Sequence, residues 1–220
     1  MTAAFQASLL DLDSEFRLAD LDLLKRTALT EGAWVEVLPG WMTGADDVFE
    51  RLLETVPWRA ERRPMYDRVV AVPRLLSFYG AGEQLPDPAL ADAMAALDEH
   101  YRPVLGEPLS TAGLCLYRDG ADSVAWHGDN SGRRVEETIV AILSLGNPRI
   151  MTLRGVPGGR PPGPALRPVA GGETRRYLLG HGDLLVMGGT CQRTWQHAIP
   201  KSANVFGPRI SVQFRPAGVR

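Results

Sequence analysis

The sequence predicts an α+β, mainly β fold, a double-stranded β-helix (jelly roll) preceded by N-terminal helices. Two observations carry this. From Gly113 onward the chain reads GLCLY, SVAWH, TIVAILSLG, RIMTLR, RYLL, DLLVMGG and RISVQF, short strand-like pieces each bounded by Gly, Pro, Asp or Asn. Many short strands separated by turn signals fit a jelly roll or related β-roll. Before Gly113 the apolar residues recur twice at helical spacing instead. A chain of 220 residues that is 45% hydrophobic can bury one core, and all-β units of this length commonly form one domain. The expected organisation is a single domain over 1–220, with a helical, substrate-recognising extension over about 1–112 and the jelly-roll core over about 113–216.

In order along the chain, Trp34, Val35, Val37 and Leu38 predict a short strand ended by Pro39 and Gly40. Thr43 with Asp46 resembles a helix start, and Val48, Leu52, Leu53 and Val56 continue it until Pro57. A second helix runs from about Pro88, with Leu90, Met94, Leu97 and Tyr101 on one face and Pro103 at its end. Between these helices lies RRPMYDRVVAVPRLLSFYG, residues 62–80, basic and aromatic around short strand-like pieces. Residues 155–172, GVPGGRPPGPALRPVAGG, are mostly Gly and Pro. They read as a surface insertion between strands, because the candidate ligands fall on both sides of them.

Composition narrows the classes. A formal net charge of −2 excludes the global basic field of a nucleic-acid packaging protein, so contacts to nucleic acid would use local patches. Cys115 and Cys191 are too few for a disulfide scaffold. The beginning MTAAFQASLLDLDSEF lacks the pattern of a signal peptide, and no apolar run reaches the length of a membrane span. The expectation is a cytoplasmic protein with no membrane partner.

His127, Asp129 and His197 are the candidate metal ligands. In an extended segment residues i and i+2 share a face, so His127 and Asp129 can reach one ion, and His197 follows after enough chain for several strands to wind around. Two imidazoles and one carboxylate are the ligand set of non-haem Fe(II) oxygenases and leave positions open for a chelating co-substrate and dioxygen. Trp126 and Trp195 stand beside the ligands as packing against water. His181-Gly182-Asp183 repeats the tripeptide, but it lies about one hairpin from His197 and enters the run LLVM, so it reads as a turn. RISVQFR alternates, so Arg209, Ser211, Gln213 and Arg215 point one way and Ile210, Val212 and Phe214 the other. Paired guanidiniums on one strand suit a dicarboxylate, each able to hold a carboxylate through two parallel hydrogen bonds. A zinc hydrolase could use the same three ligands but has no need for these arginines.

CLYRDGADSVAWHGDN, TIVAILSLGNPRIMTLR, HGDLLVMGGTCQRTWQHAIPK and GPRISVQFR resemble AlkB-like demethylases in order and spacing. The resemblance covers about residues 66–216. It implies Fe(II), 2-oxoglutarate and O2 as cofactors, and oxidative demethylation of N-alkylated nucleobases with release of formaldehyde, succinate and CO2. It makes His127, Asp129 and His197 the iron ligands, and Arg209, Arg215, Tyr117 and Ser211 the surroundings of 2-oxoglutarate. It also implies substrate contacts by Tyr79 through stacking, by Tyr66 and Arg68 in a nucleotide-recognition-like segment, by Trp126, and by Arg149 and Arg154 along the cleft. The partner implied is single-stranded or flipped-base DNA, or RNA, met by a monomer. Arg59, Arg62 and Arg63 are candidate phosphate contacts, Arg133 and Arg134 a second patch, and Arg160 and Arg167 a weaker one. Three positions depart from the family pattern. Cys115 and Ser211 stand where asparagines are usual, and Asn130, Ser131 and Gly132 stand where relatives often carry an acidic reader of the damaged base. The last departure favours one alternative, a protein or small-molecule substrate for the same chemistry; a second alternative, of a different class, is an inactive β-roll binding module.

Overall fold

The computed structural model describes residues 15–65, 68–129, 137–156 and 172–219, with 63–65 and 68–71 described by backbone alone. The chain opens with β1 (Arg17–Leu18), β2 (Lys25–Ala28), β3 (Ala33–Leu38) and β4 (Met42–Thr43), followed by α1 (Ala45–Thr55). A long hairpin, β5 (Arg59–Met65) and β6 (Arg68–Tyr79), precedes α2 (Pro88–Leu105). Then come β7 (Leu109–Tyr117), β8 (Val124–His127), β9 (Val140–Gly146), β10 (Arg149–Gly155), β11 (Thr174–Leu179) and β12 (Asp183–Gly189). The short helix α3 (Cys191–Thr194), β13 (Trp195–Ile199) and β14 (Arg209–Pro216) complete the described elements.

Two antiparallel sheets face each other. The major one has eight strands in the order β2-β3-β12-β9-β14-β7-β6-β5, the minor one four in the order β11-β10-β13-β8. The fold is mainly β, as the turn-punctuated sequence predicts. The central strands VAILSLG and DLLVMGG read as unbroken apolar runs because both of their faces are covered. Val140, Ile142, Leu185 and Met187 point between the sheets and meet Met151, Leu153, Leu179 and Trp195 of the minor sheet. Ala141, Leu143, Leu145, Leu184 and Val186 point the other way, onto Val48, Phe49 and Leu52 of α1 and Leu90, Leu97 and Tyr101 of α2.

Both long helices form where periodicity places them, but their ends differ from expectation. Thr43 belongs to β4, and α1 starts after Gly44, in the left-handed region at φ 63°, with no side-chain cap. Asp46 and Asp47 in the first turn complement its dipole instead. For α2, which starts at Pro88 as expected, Asp87 is the cap and accepts from the Ala89 amide at 2.9 Å. Pro103 does not end α2, which continues to Leu105 and stops at Gly106, at φ 71°. The segment 62–80 holds one continuous 12-residue strand, β6, and Pro73 within it leaves that strand unbroken.

The insertion joins two paired strands. β10 and β11 run antiparallel with Arg154 opposite Thr174, and the Gly155 amide donates to the Glu173 carbonyl at 2.8 Å. Tyr66, Arg133, Arg134, Arg160 and Arg167, with the side chains of Arg63 and Arg68, lie outside the described residues.

Candidate metal centre and active site

The minor sheet and the loop after β8 bring the three ligands together. His127 ends β8 and pairs in register with His197 of β13, so both rings point inward from adjacent strands with centroids 4.2 Å apart. Asp129, two residues past His127, brings Oδ1 to 3.8 Å from Nε2 of His127 and 4.0 Å from Nε2 of His197. One ligand atom from each residue lies within 4.8 Å of the others.

Neighbouring groups fix the orientation of two ligands, as metal-binding side chains require. Nδ1 of His127 lies 2.9 Å from the Ala125 carbonyl and donates to it, which leaves the Nε2 lone pair for a metal. Asp129 Oδ2 accepts from Nε of Arg215 at 2.7 Å, and its amide donates to Oε1 of Gln192 on α3 at 2.9 Å. Burial works against charge on Asp129, but Arg215, His197 and His127 outweigh it and hold its carboxyl far below the usual range. Withdrawal from water lowers the His127 pKa against the pull of Asp129 and keeps its imidazole neutral. The donor set is thus two imidazole nitrogens and one carboxylate oxygen, with an open side toward a cleft, and it fits ferrous iron.

Next to the triad is an inner cavity of about 70 Å³, lined by Tyr117, Arg209, Ser211, Gln213 and Arg215 among others. The alternation of β14 puts these four β14 residues on the inward face, with Ile210, Val212 and Phe214 in the helix-covered core. Arg209 is 1% exposed, and its Nε donates to Ser144 Oγ at 2.9 Å. Its Nη1 is buried with no hydrogen-bond partner among the described residues. A buried guanidinium calls for an anion, and this one faces a cavity. Tyr117 pairs in register with Arg209. Burial, with Cys115 beside it, raises its phenol to about 12 and keeps the hydroxyl protonated as a donor.

Beside the inner cavity lies a cleft of about 680 Å³ that also reaches His127, Gly128 and Asp129. Arg74, Cys115, His127, Gln213 and Arg215 line both spaces. Tyr79 lines the cleft but packs partly against the helix-covered core. Phe78, on the opposite face of β6, lines it with 45% of its surface exposed. Reading selected Tyr79 and missed Phe78 and Arg74, yet the period-two pattern of RLLSFY already sets Arg74, Leu76 and Phe78 on one face.

Three other candidate substrate contacts line neither cavity. Arg149 is buried, and its guanidinium donates to the carbonyls of Asp119, Asp122 and Pro200, tying two loops together. Arg154 donates to Gln196 Oε1 at 2.8–3.0 Å and stacks over Trp126, its guanidinium carbon 4.4 Å from the ring centre. Trp126, next to His127 in an alternating strand, faces away from the triad. His181 is structural, as its turn pattern suggests. Its Nδ1 accepts from the Gly146 amide at 2.8 Å and its Nε2 lies 3.3 Å from Asp46 Oδ1.

Comparison with known proteins agrees with this geometry. The model of the 2OG-Fe(II) oxygenase superfamily matches residues 81–215. "Alpha-ketoglutarate-dependent dioxygenase alkB homolog 3" of Bos taurus is 33% identical over 182 residues, 78% of this chain and 61% of the relative. "DNA oxidative demethylase ALKBH2" of Arabidopsis thaliana is 33% identical over 129 residues, 54% of this chain and 41% of the relative. The chain therefore spans about three fifths or less of these two relatives' length. Among solved structures, OsALKBH1 superposes with a TM-score of 0.54 at 18% identity over 86% of this chain and all of that one. A Pseudomonas putida prolyl-4-hydroxylase gives 0.52 at 14%, covering 84% of this chain and 93% of that one, and supports the fold alone. With the triad assembled, the cationic pocket beside it and this match, the chain belongs to the 2OG-Fe(II) oxygenase superfamily and is AlkB-like in sequence.

Proposed function

We propose that the chain oxidatively demethylates N-alkylated nucleobases in single-stranded or flipped-base DNA, or RNA, releasing formaldehyde, succinate and CO2. The observation that carries the proposal is the cleft, which is large enough for a base, is edged by an exposed aromatic, and ends on the open side of the His127–Asp129 pair. A similar protein supports it: the Arabidopsis thaliana relative is a DNA oxidative demethylase.

His127, Asp129 and His197 would hold Fe(II), which when bound with 2-oxoglutarate and O2 supplies the oxidation of an N-methyl carbon. Arg209, Tyr117 and Ser211 would take the distal carboxylate of 2-oxoglutarate. Arg215 would both orient Asp129 and offer positive charge to the near end. Burial of these groups keeps water from the reacting centre and strengthens each charge contact. A base inside a duplex cannot reach the triad, so it must be extruded or already unpaired. Phe78 and Tyr79 at the cleft wall would stack on it, and Arg59, exposed at the cleft, would meet phosphate. Tyr66 and Arg68 keep the same proposed role at the hairpin. The proposal takes 1–220 as one catalytic domain and the enzyme as a cytoplasmic monomer, in keeping with the free thiols of Cys115 and Cys191.

The test is formaldehyde release from N-methylated single-stranded oligonucleotides, with unmethylated strands as control, in the presence of Fe(II) and 2-oxoglutarate. Methyl-dependent release is the expected result. Succinate formation driven by a peptide or metabolite, with none driven by methylated strands, would move the same chemistry to another substrate.

A further inference from the structure

The co-substrate reading above leaves one cation of the site without a task. On β6, Leu75 pairs in register with Leu116, which sets Arg74 beside Tyr117, and Tyr117 pairs with Arg209. Arg74, Tyr117 and Arg209 thus form one row across three adjacent strands, with the phenol between two guanidiniums. Both arginines line the inner cavity, and Arg74 alone of the two also lines the cleft. Nη1 of Arg74 donates to the Ser123 carbonyl at 3.3 Å, and the side chain reaches the thiol of Cys115. Its Nε is buried with no hydrogen-bond partner among the described residues, the same condition as Nη1 of Arg209. A buried guanidinium and a half-buried one, each with one buried N–H that has no hydrogen-bond partner among the described residues and both bordering one small cavity, are complementary to a carboxylate placed between them.

We propose that Arg74 is a third guanidinium of the co-substrate pocket, closing over the distal carboxylate of 2-oxoglutarate from the cleft side, opposite Arg209. The inference rests on the pocket assignment made under the proposed function. Cys115 makes room for it: a thiol is short, so the Arg74 side chain can pass over that position to the cavity. Arg74 would then be a wall between the two spaces, one side against the diacid and the other against whatever enters the cleft.

The experiment is calorimetric titration of 2-oxoglutarate, and of 2-oxopentanoate, which lacks the distal carboxylate, into Mn(II)-loaded protein. Wild type, Arg74→Met, Arg74→Lys and Arg209→Met are compared. Arg74→Met is expected to weaken 2-oxoglutarate binding roughly tenfold or more, the scale of a lost hydrogen bond to a charged group. It should leave 2-oxopentanoate and Mn(II) binding at wild-type strength, and Arg74→Lys should recover part of the loss. Unchanged 2-oxoglutarate affinity, equal loss for both acids, or loss of Mn(II) binding in Arg74→Met would each overturn the role. If Arg209→Met is sensitive and Arg74→Met is not, only this inference falls. If Arg209→Met is also insensitive, the pocket assignment falls with it.

Discussion

A Cβ built on Gly113 would lie 2.7 Å from Nη1 of Arg215 and 3.1 Å from Oε1 of Gln213. The missing side chain therefore leaves room for the Arg215 guanidinium, whose Nε holds Asp129. Gly113→Ala is expected to push the guanidinium aside and reduce Mn(II) affinity about 10–100-fold, the usual effect of removing a metal ligand's supporting partner. Calorimetric Mn(II) titration checks it, with the melting temperature showing that the fold persists. The two identical tripeptides make a sharper pair. His127→Ala or Asp129→Ala should abolish succinate formation. His181→Ala should keep it and cost about 1–3 kcal/mol of stability, because the buried Gly146 amide loses its acceptor. Equal loss of turnover in the His181 variant would mean the wrong tripeptide was assigned.

How much of this the sequence discloses depends on what each residue's neighbours are. His127, Asp129 and the β14 arginines are legible because strand alternation alone fixes their shared face. The distinction between His127 and His181 is legible too, since Gly182 takes φ 77° in a tight turn. Arg149 is not: an arginine that opens a strand looks like a cleft residue until the loops whose carbonyls it binds are folded against it. Phe78 and Tyr79 are adjacent aromatics, and nothing local says which face of β6 the helices will cover. Gln192 could not be found at all, because it meets the Asp129 amide only through a four-residue helix distant in sequence.

At the level of elements, the hairpin β10–β11 carries its own register down to the Gly155–Glu173 hydrogen bond. The joining segment is therefore dispensable for closing it. Replacing residues 157–171 with a short Gly-rich turn should leave Mn(II) and 2-oxoglutarate binding intact and shift stability by about 1 kcal/mol, since closure entropy varies slowly with loop length. A cooperative thermal melt close to wild type is the expected readout, and collapse of co-substrate binding would give the segment a part in the site. The helix ends teach a different lesson. Pro103 lies in the last turn of α2 and lacks an amide for only one backbone hydrogen bond, so Gly106 rather than proline sets the stop.

For the whole molecule, the near-neutral charge constrains the proposed binding of nucleic acid. With a formal net charge of −2, such binding would have to come from a few local arginines, of which Arg59 and Arg62 are exposed on β5. Binding of a methylated single strand should then weaken gently with salt, with a log–log slope no steeper than about −3, as about four or fewer phosphate contacts give. A slope near −6 would require a basic surface beyond these residues.

The order of strands in the major sheet separates two kinds of change. β14 and β9 lie at its middle, each hydrogen-bonded on both sides, and β14 serves oil on one face and chemistry on the other. β5 lies at the margin, tied to one neighbour only. Substitutions along β5 and at Phe78, at the outer end of β6, would thus reshape what the proposed enzyme accepts without disturbing iron or its diacid. Diversification of substrate range in such a scaffold is expected to collect at that rim while the centre stays fixed.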